Sequence, residues 1–219
     1  MTSHARSAIG QALPRREDPA LLKGQGRYAA DILLDRPLHL AFLRSPVAAG
    51  RIAAIDIDAA RAAPGVVAVL TGADLPPNPS PDLLPVLEID QPLPFAMLAR
   101  GQIACVGEPV AAVLAETPAQ AADALEMIGL EIDEAPMPAP RRIAHRRWAV
   151  GDAEAAFARA AHVVAVATHH PRVAPASMEP RGVAIHYDAA NDSVVIYHST
   201  QTPHRTKADL TRVLQIDPD

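Results

Sequence analysis

The segment with the most chemical potential is YHSTQTPH, residues 197–204, which combines hydroxyl, amide and imidazole groups. An apolar run leads into it, and Pro203 begins a predicted helix that continues to about Leu214. Gln201 carries an amide with two donors and an acceptor. It would lie between the carboxyl end of a strand and a helix N-terminus, where α/β folds place ligand contacts and where negative charge is favoured. The residues alone leave two interpretations open, a ligand contact at Gln201 or an ordinary polar turn.

Histidine and cysteine do not form a metal-binding pattern in this sequence. His169 and His170 are adjacent, so on a strand they would point to opposite faces, while His198 and His204 flank the segment just described. Solvated or singly hydrogen-bonded imidazoles are therefore the default, and we assign no metal ligand. The single cysteine, Cys105, excludes an intrachain disulfide, a self-contained iron–sulfur cluster and a cysteine-rich zinc site. It follows an apolar stretch and is predicted to be a small buried residue.

Three other motifs could carry chemistry, and each has a structural alternative. KGQGRY, residues 23–28, lacks the strand and helix that a dinucleotide-binding loop requires, and is predicted to be a turn. Glu108 in CVGEPVA could serve acid–base chemistry, but we favour a role in accepting nearby backbone N–H groups at a strand entry. Glu179 and Arg181 flank a proline, and are predicted to organise a loop by pairing with each other or with neighbours.

Composition excludes several classes of protein. The chain has 219 residues, enough for one large domain or two small ones. No uncharged apolar stretch is long enough for a membrane span, and the N-terminus lacks the apolar core of a signal peptide, so we expect a cytoplasmic protein without a membrane span. Net charge is −5, with acids and bases interleaved and few aromatic residues, so no nucleic-acid partner is expected.

The elements that must position these residues begin with two βαβ-like segments. The first, residues 51–75, contains a short strand, Asp58 as a predicted N-cap, a helix that ends at Pro64-Gly65, and a second strand. The second, residues 107–133, repeats this order, and LHLAFLRS (38–45) adds a further strand. Helices between strands predict an α/β or α+β layered fold.

The helix of the second segment has clear boundary signals. Thr117 is a candidate N-cap, and Pro118 occupies the first helical position. Gly129 is predicted just past the helix end, where φ is often positive. The preceding strand, PVAAVLAE, is apolar throughout, as expected of a strand covered on both faces. The buried face of the helix is predicted to carry Ala121, Leu125 and Ile128.

Proline-rich stretches separate the elements. Residues 76–94 are predicted to be a long surface loop, and residues 135–140 to separate two structural units.

After them, Asp152 is predicted to cap a helix at 153–160, followed by a strand, HVVAVATHH (162–170). Two further strands, GVAIHYD and SVVIYHST, are joined through AAND (189–192), a turn rich in Asn and Asp.

Five motifs in order give the sequence a specific resemblance. They are GQALPRREDPALLKGQGRYAADI, LRSPVAAGRIAAIDIDAARAAPGVVAVLTGADL, VGEPVAAVLAETPAQAADALEMIGLEID, ASMEPRG and STQTPH. Each is weak alone, but together they resemble the large, molybdenum-binding subunit of the xanthine dehydrogenase and aldehyde oxidase family. The bacterial branch that includes carbon monoxide dehydrogenase-like enzymes is the most similar. The resemblance runs from about Gly10 to the last residue.

The resemblance implies an α+β fold in which an α/β hammerhead domain precedes the first part of a molybdopterin-binding α+β domain. The implied boundaries are an N-terminal extended arm at 1–19, the hammerhead at 20–135, a linker at 136–150 and an incomplete molybdopterin-binding domain at 151–219.

The resemblance also assigns the site. In the family, the glutamine of the STQ motif lies beside the molybdenum and hydrogen-bonds an oxo ligand, and this motif falls on Gln201. No catalytic residue is assigned in this chain, because the general base is expected beyond residue 219. His170-Pro171-Arg172 stands where relatives often have Gln-Arg, and the resemblance does not say what this departure changes.

The implied function is that of a molybdenum hydroxylase, which oxidises an aldehyde or a heteroaromatic carbon with water as the oxygen source. The expected cofactor is molybdenum-molybdopterin, in the cytosine dinucleotide form. The expected partners are the remainder of the molybdenum subunit on a separate chain, an iron–sulfur small subunit and an FAD medium subunit. The isolated chain is expected to hold no cofactor and to be inactive. The alternative is a non-catalytic orphan hammerhead module for interaction or scaffolding, or an inactive truncated fragment.

Overall fold

Short strands and helices alternate along the chain in a computed structural model that describes residues 9–75, 90, 96–140, 142, 144–214 and 216–217. The predicted proline-rich loop, 76–94, lies outside the described residues apart from Asp90. No helix in these ranges is both long and apolar enough to cross a membrane. In chain order the elements are α1 (Asp18–Leu22), a 3-10 turn (Ala29–Asp31), β1 (His39–Arg44), β2 (Gly50–Asp56), α2 (Asp58–Arg61), β3 (Val66–Thr71), β4 (Gln102–Ile103), β5 (Pro109–Ala115), α3 (Pro118–Glu126), β6 (Gly129–Glu134), α4 (Ala153–Arg159), β7 (Val183–Asp188), β8 (Ser193–His198) and α5 (Pro203–Leu214).

These elements group into two compact units. One unit combines the N-terminal residues up to Asp35 with Val173–Gln201, and the other combines Arg36–Arg172 with the residues from Thr202 onward. The domain boundaries expected from the resemblance, at 1–19, 20–135, 136–150 and 151–219, stay a prediction.

The larger unit contains two three-stranded sheets, with strand orders β1-β5-β3 and β4-β2-β6, and every pairing is antiparallel. The two strand–helix–strand segments are interlocked. The first strand of one, β2, pairs with the last strand of the other, β6, and β3 pairs with β5. The helices α2 and α3 therefore each connect two strands that belong to different sheets.

The core of this unit is centred on β5, as its apolar sequence predicted. Ala111, Val113 and Ala115 pack against the helices α2 and α3, while Val110 belongs to a second buried cluster that includes β2 and β6 residues. Val113 is fully buried. Both faces of β5 are thus covered, and the small side chains let α3 pack closely against the sheet.

The start of α3 is confirmed, but its predicted end is wrong. Thr117 is the N-cap, and its hydroxyl accepts a hydrogen bond from the backbone N–H of Gln120 at 3.2 Å. At the other end, the C-cap is Met127 in a right-handed conformation, and Gly129 does not have a positive φ. Gly129 is instead the first residue of β6, paired with Asp56, because the chain passes directly from the helix into a strand.

The predicted N-cap of α2 is also displaced. Asp58 is the first helical residue and Ile57 is the N-cap, without a side-chain cap. The carboxylate of Asp56 accepts a hydrogen bond from the backbone N–H of Asp58 at 3.0 Å. Gly65, with φ +75°, reverses the chain after the helix, as the Pro64-Gly65 signal predicted.

The second half of the chain confirms its helices and hairpin but lacks one predicted strand. Asp152 caps α4 by accepting the backbone N–H of Ala155 at 2.9 Å. β7 and β8 form an antiparallel hairpin whose turn is held by the carboxylate of Asp188. Residues 162–170 form no regular structure, and Val164 is 83% exposed. Their strand propensity is not realised because no described strand pairs with them.

Candidate cofactor-contact site

Gln201 lies on a short connection between two elements. β8 ends at His198, and α5 begins at Pro203, so the sequence-predicted contact residue falls between the strand and the helix as expected. Its side chain is exposed and makes no hydrogen bond with the residues that the structure describes. The two donors and the acceptor of the amide are therefore available to a ligand.

Ser199 attaches this connection to the loop before β7. Its hydroxyl oxygen accepts a hydrogen bond from the backbone N–H of Gly182 at 3.3 Å, and lies 3.4 Å from the carbonyl oxygens of both Pro180 and Gly182. The backbone N–H of Ser199 also donates to the carbonyl of Gly182 at 3.5 Å. Sequence reasoning missed this residue, and the only signal was its position two residues before Gln201.

Glu179 attaches the same loop to a distant part of the chain. Its carboxylate accepts a hydrogen bond from the backbone N–H of Ala29 at 2.9 Å, and the Ser177 hydroxyl donates to its carbonyl oxygen at 2.8 Å. A Cβ on Gly182 would lie 3.5 Å from the Cβ of Ala29, so the loop approaches the 3-10 turn closely. The prediction that Glu179 pairs with a nearby group is confirmed. Its partner is the backbone N–H of Ala29, which is distant in sequence, rather than the side chain of Arg181.

The four histidines considered as metal ligands lie on three different segments of the chain. His169 and His170 are exposed in the irregular segment before β7, whereas His198 ends β8 and His204 lies in the first turn of α5. Across the described ranges, no group of three or more His, Cys, Asp or Glu side chains could hold a metal ion. Nothing in the structure assigns an effect to the His170-Pro171-Arg172 departure.

Cys105 and Glu108 belong to a tight turn before β5. The prediction of a buried thiol is wrong, because Cys105 is exposed on this turn, where Gly107 has φ +82°. The carboxylate of Glu108 accepts the backbone N–H of Ala104 at 2.6 Å, which confirms its role at the strand entry. The guanidinium of Arg44 donates to the carbonyl of Gly107 at 2.8 Å and holds the turn against β1.

A cleft of about 380 Å³ on the larger unit has a mainly apolar lining that includes Ile52 and Val110. Its two polar side chains are both engaged. Thr71 donates from its hydroxyl to the carboxylate of Asp74 at 2.8 Å, and Arg100 donates to the carbonyl of Gly72 at 2.6 Å. The described lining thus offers no free acid or base, and Gln201 remains the strongest candidate.

Comparison with known proteins gives this geometry its context. The family model described as "Aldehyde oxidase and xanthine dehydrogenase, a/b hammerhead domain" matches residues 23–136, more than half of the chain. The chain belongs to this family. A second model, the molybdopterin cofactor-binding domain, matches residues 136–219 and therefore includes Gln201. The fold expected from the resemblance, a hammerhead followed by the start of a molybdopterin-binding domain, is confirmed.

Several relatives in this family of oxidoreductases are large subunits of multi-subunit complexes. The nicotine 6-hydroxylase large subunit of Paenarthrobacter nicotinovorans is 36% identical over 97% of this chain and 28% of its own length. The carbon monoxide dehydrogenase large chain of Hydrogenophaga pseudoflava is 33% identical over 86% of this chain and 27% of its own. The structure of quinoline 2-oxidoreductase from Pseudomonas putida 86 matches with a TM-score of 0.81 and 32% identity, over 97% of this chain and 29% of that one. The chain thus spans a little over a quarter of the length of these relatives.

Proposed function

We propose that this chain is part of a molybdenum hydroxylase, to which it supplies the hammerhead domain and, through Gln201, one wall of the molybdenum site. The observation that carries the proposal is the unengaged amide of Gln201. It lies on a connection attached through Ser199, inside the region that the molybdopterin cofactor-binding model matches. An amide so placed can meet a bound group without first breaking a hydrogen bond within the protein.

The donor set fits a hydrogen-bonding contact to the cofactor rather than a metal ligand. The described residues hold no cluster of His, Cys, Asp or Glu for a metal, while Gln201 offers amide N–H donors that suit an oxo group. When bound, molybdenum-molybdopterin supplies the two-electron oxidation with water as the oxygen source. The part of Gln201 is to hold a charged oxygen in place with a fixed donor, as preorganised donors do in other active sites. We propose the cytosine dinucleotide form of the cofactor.

The relatives support a substrate class. The nicotine hydroxylase and the quinoline oxidoreductase are named for nitrogen heterocycles, which favours a heteroaromatic carbon over an aldehyde as the site of oxidation. The relatives named as large subunit or large chain support assembly with smaller subunits, for which we propose an iron–sulfur subunit and an FAD subunit. A cytoplasmic location stays a prediction.

Exposed apolar residues support contact with further polypeptide, which we propose to be the remaining part of the large subunit. In the β7–β8 hairpin, Ile185 and Tyr187 are 56% and 57% exposed, and Val164 and Val166 before it are 83% and 79% exposed. A two-stranded hairpin is marginally stable on its own, so burial of these side chains would stabilise the region.

Substitution of Gln201 in the complete enzyme tests the proposal. Gln201→Ala should lower kcat by about 10²–10³-fold, the loss seen when one preorganised donor is removed from an oxyanion site, with unchanged molybdenum content. Gln25→Ala is the matched control, because Gln25 is an exposed glutamine of the same unit. Turnover within twofold of wild type in Gln201→Ala would reject the role. An assembled protein that binds partners but carries neither molybdenum nor hydroxylase activity would favour the alternative, a non-catalytic interaction module.

A further inference from the structure

We propose that Ser199 and Glu179 are positioning residues that hold Gln201 in place through two hydrogen-bonded joints. The inference rests on the proposed function, since it assigns these residues to the Gln201 contact. The first joint connects Ser199 to the loop at Pro180–Gly182, and the second connects that loop, through Glu179, to Ala29.

The first joint continues the attachment between the two chain segments beyond the last paired residues of the β7–β8 hairpin. The last paired residues of the β7–β8 hairpin are Val183 and His198, so no further ladder holds the chain beyond them. Ser199 continues the attachment with its hydroxyl, which accepts from the N–H of Gly182, and with its own N–H, which donates to the Gly182 carbonyl. Because consecutive Cα atoms are about 3.8 Å apart, the Cα of Gln201 can lie no more than about 7.6 Å from the anchored Cα of Ser199. The joint therefore restricts the space that the Gln201 amide can sample.

The second joint attaches the Pro180–Gly182 loop, to which Ser199 is hydrogen-bonded, to the 3-10 turn at Ala29. The carboxylate of Glu179 accepts the N–H of Ala29 at 2.9 Å, and a hydrogen bond to a charged group is stronger than one between neutral groups. Ala29 begins a 3-10 turn that is itself closed by the Asp31 carboxylate, which accepts the N–H of Tyr28 at 2.8 Å. Without Glu179, the Pro180–Gly182 loop would lose this attachment, and Ser199 would be anchored to a looser support.

Amide hydrogen exchange in the complete enzyme tests the joints without reference to activity. Ser199→Ala should speed exchange of the Gly182 amide by roughly fivefold, the effect of one lost hydrogen bond, and Ser199→Thr, which keeps a hydroxyl, should restore it. Glu179→Ala should speed exchange of the Ala29 amide, and Glu179→Gln, which keeps an acceptor oxygen, should restore it in part. Ser193→Ala, at the start of β8, is the control and should change neither amide.

Kinetics and spectroscopy test whether the joints act through Gln201. Ser199→Ala should lower kcat about fivefold, leave KM unchanged, and alter the electron paramagnetic resonance signal of the reduced molybdenum in the same direction as Gln201→Ala. In the double variant of Ser199 and Gln201, the loss should be no greater than for Gln201→Ala alone, because a residue that acts only through Gln201 has nothing left to position. Fully additive losses would overturn the inference.

The cofactor contact of Gln201 and its positioning by Ser199 and Glu179 can be distinguished by these experiments. If Gln201→Ala lowers turnover but Ser199→Ala and Glu179→Ala change neither turnover nor exchange at Gly182 and Ala29, the positioning inference is overturned and the proposed function stands. If Gln201→Ala has no effect on turnover, both the cofactor contact and the positioning inference that rests on it are overturned.

Discussion

Gly50 and Gly129 lie at opposite ends of the same β2–β6 strand pair, yet substitution by alanine should change stability in opposite directions. A Cβ at Gly50 would lie 2.7 Å from the carbonyl oxygen of Asp133 and 2.8 Å from the Cγ2 of Ile132. A Cβ at Gly129 would lie 3.4 Å from the Cβ of Asp56 and 3.9 Å from the Asp56 carbonyl oxygen, and both distances are ordinary contacts. Neither glycine has a positive φ, so the difference comes from packing rather than from backbone conformation.

The magnitudes follow from these distances. The carbonyl near Gly50 belongs to the backbone of β6 and cannot rotate away, so Gly50→Ala should destabilise the fold by about 1–3 kcal/mol, as overpacking in a filled site does. At Gly129 there is no clash, and alanine reduces the freedom of the unfolded chain, so Gly129→Ala should stabilise by about 0.4–1 kcal/mol. The two variants should therefore differ by about 1.4–4 kcal/mol.

Urea unfolding followed by far-ultraviolet circular dichroism measures this difference. Both variants should keep the wild-type m value, because neither changes the surface exposed on unfolding, while their midpoints should shift in opposite directions. Variants that shift the midpoint in the same direction, or that differ by less than about 0.5 kcal/mol, would refute the packing argument at Gly50.

Two further predictions concern the larger unit. Val113→Ala should lower the free energy of unfolding by roughly 2 kcal/mol, because it removes two methyl groups and leaves a cavity at a fully buried site. Val67 is 57% exposed, so the control Val67→Ala should lower it by less than about 0.5 kcal/mol. Equal urea midpoints for the two variants would contradict the assignment of the core to β5. Hydrogen bonds from the backbone N–H and the hydroxyl of Thr71 hold the pKa of Asp74 below its ordinary value of 3.8. The ionised Asp74 carboxylate therefore contributes stability above that pH, and this contribution is lost as the pH falls through the lowered pKa of the folded state. Asp74→Asn should therefore weaken the acid-side loss of stability, and an unchanged pH profile of unfolding would exclude this contribution.

Features that depend on a few neighbouring residues could be predicted from the sequence. Thr117 and Asp152 cap their helices because each side chain reaches a backbone N–H three residues ahead, a contact that sequence spacing alone defines. The turn at 189–192 follows the same local logic, since the Asp188 carboxylate accepts the N–H of Ala190.

Features that depend on distant partners could not be predicted. Gly129 resembled a helix terminator, but pairing with Asp56 across 73 positions draws it into β6 with extended backbone. Cys105 follows an apolar stretch, but the turn that carries it is fixed from outside by Arg44, and the thiol faces solvent. Residues 162–170 have the composition of a strand, but a strand also needs a neighbouring strand to pair with, and composition does not show whether one is present.

The candidate site also combines features that the sequence predicted with features that depend on distant residues. Gln201 was identified through the resemblance, and its place between a strand and a helix followed from local patterns. The attachments around it did not, because the bond from Ala29 to Glu179 joins residues that are 150 positions apart. Glu179 was expected to organise a loop, but no sequence pattern could name its partner.

Three of the motifs that carried the resemblance meet in the smaller unit. AADI contributes Ala29, ASMEPRG contributes Glu179 and Gly182, and STQ contributes Ser199 and Gln201. An exposed amide on an unattached loop loses conformational entropy each time it engages a ligand, at a cost of about 1–2 kcal/mol per residue fixed. Attachments made in the folded protein remove part of that cost before the ligand arrives, which is the advantage of preorganisation. The three motifs are thus joined by hydrogen bonds in one unit, and the contact proposed for Gln201 would depend on this support.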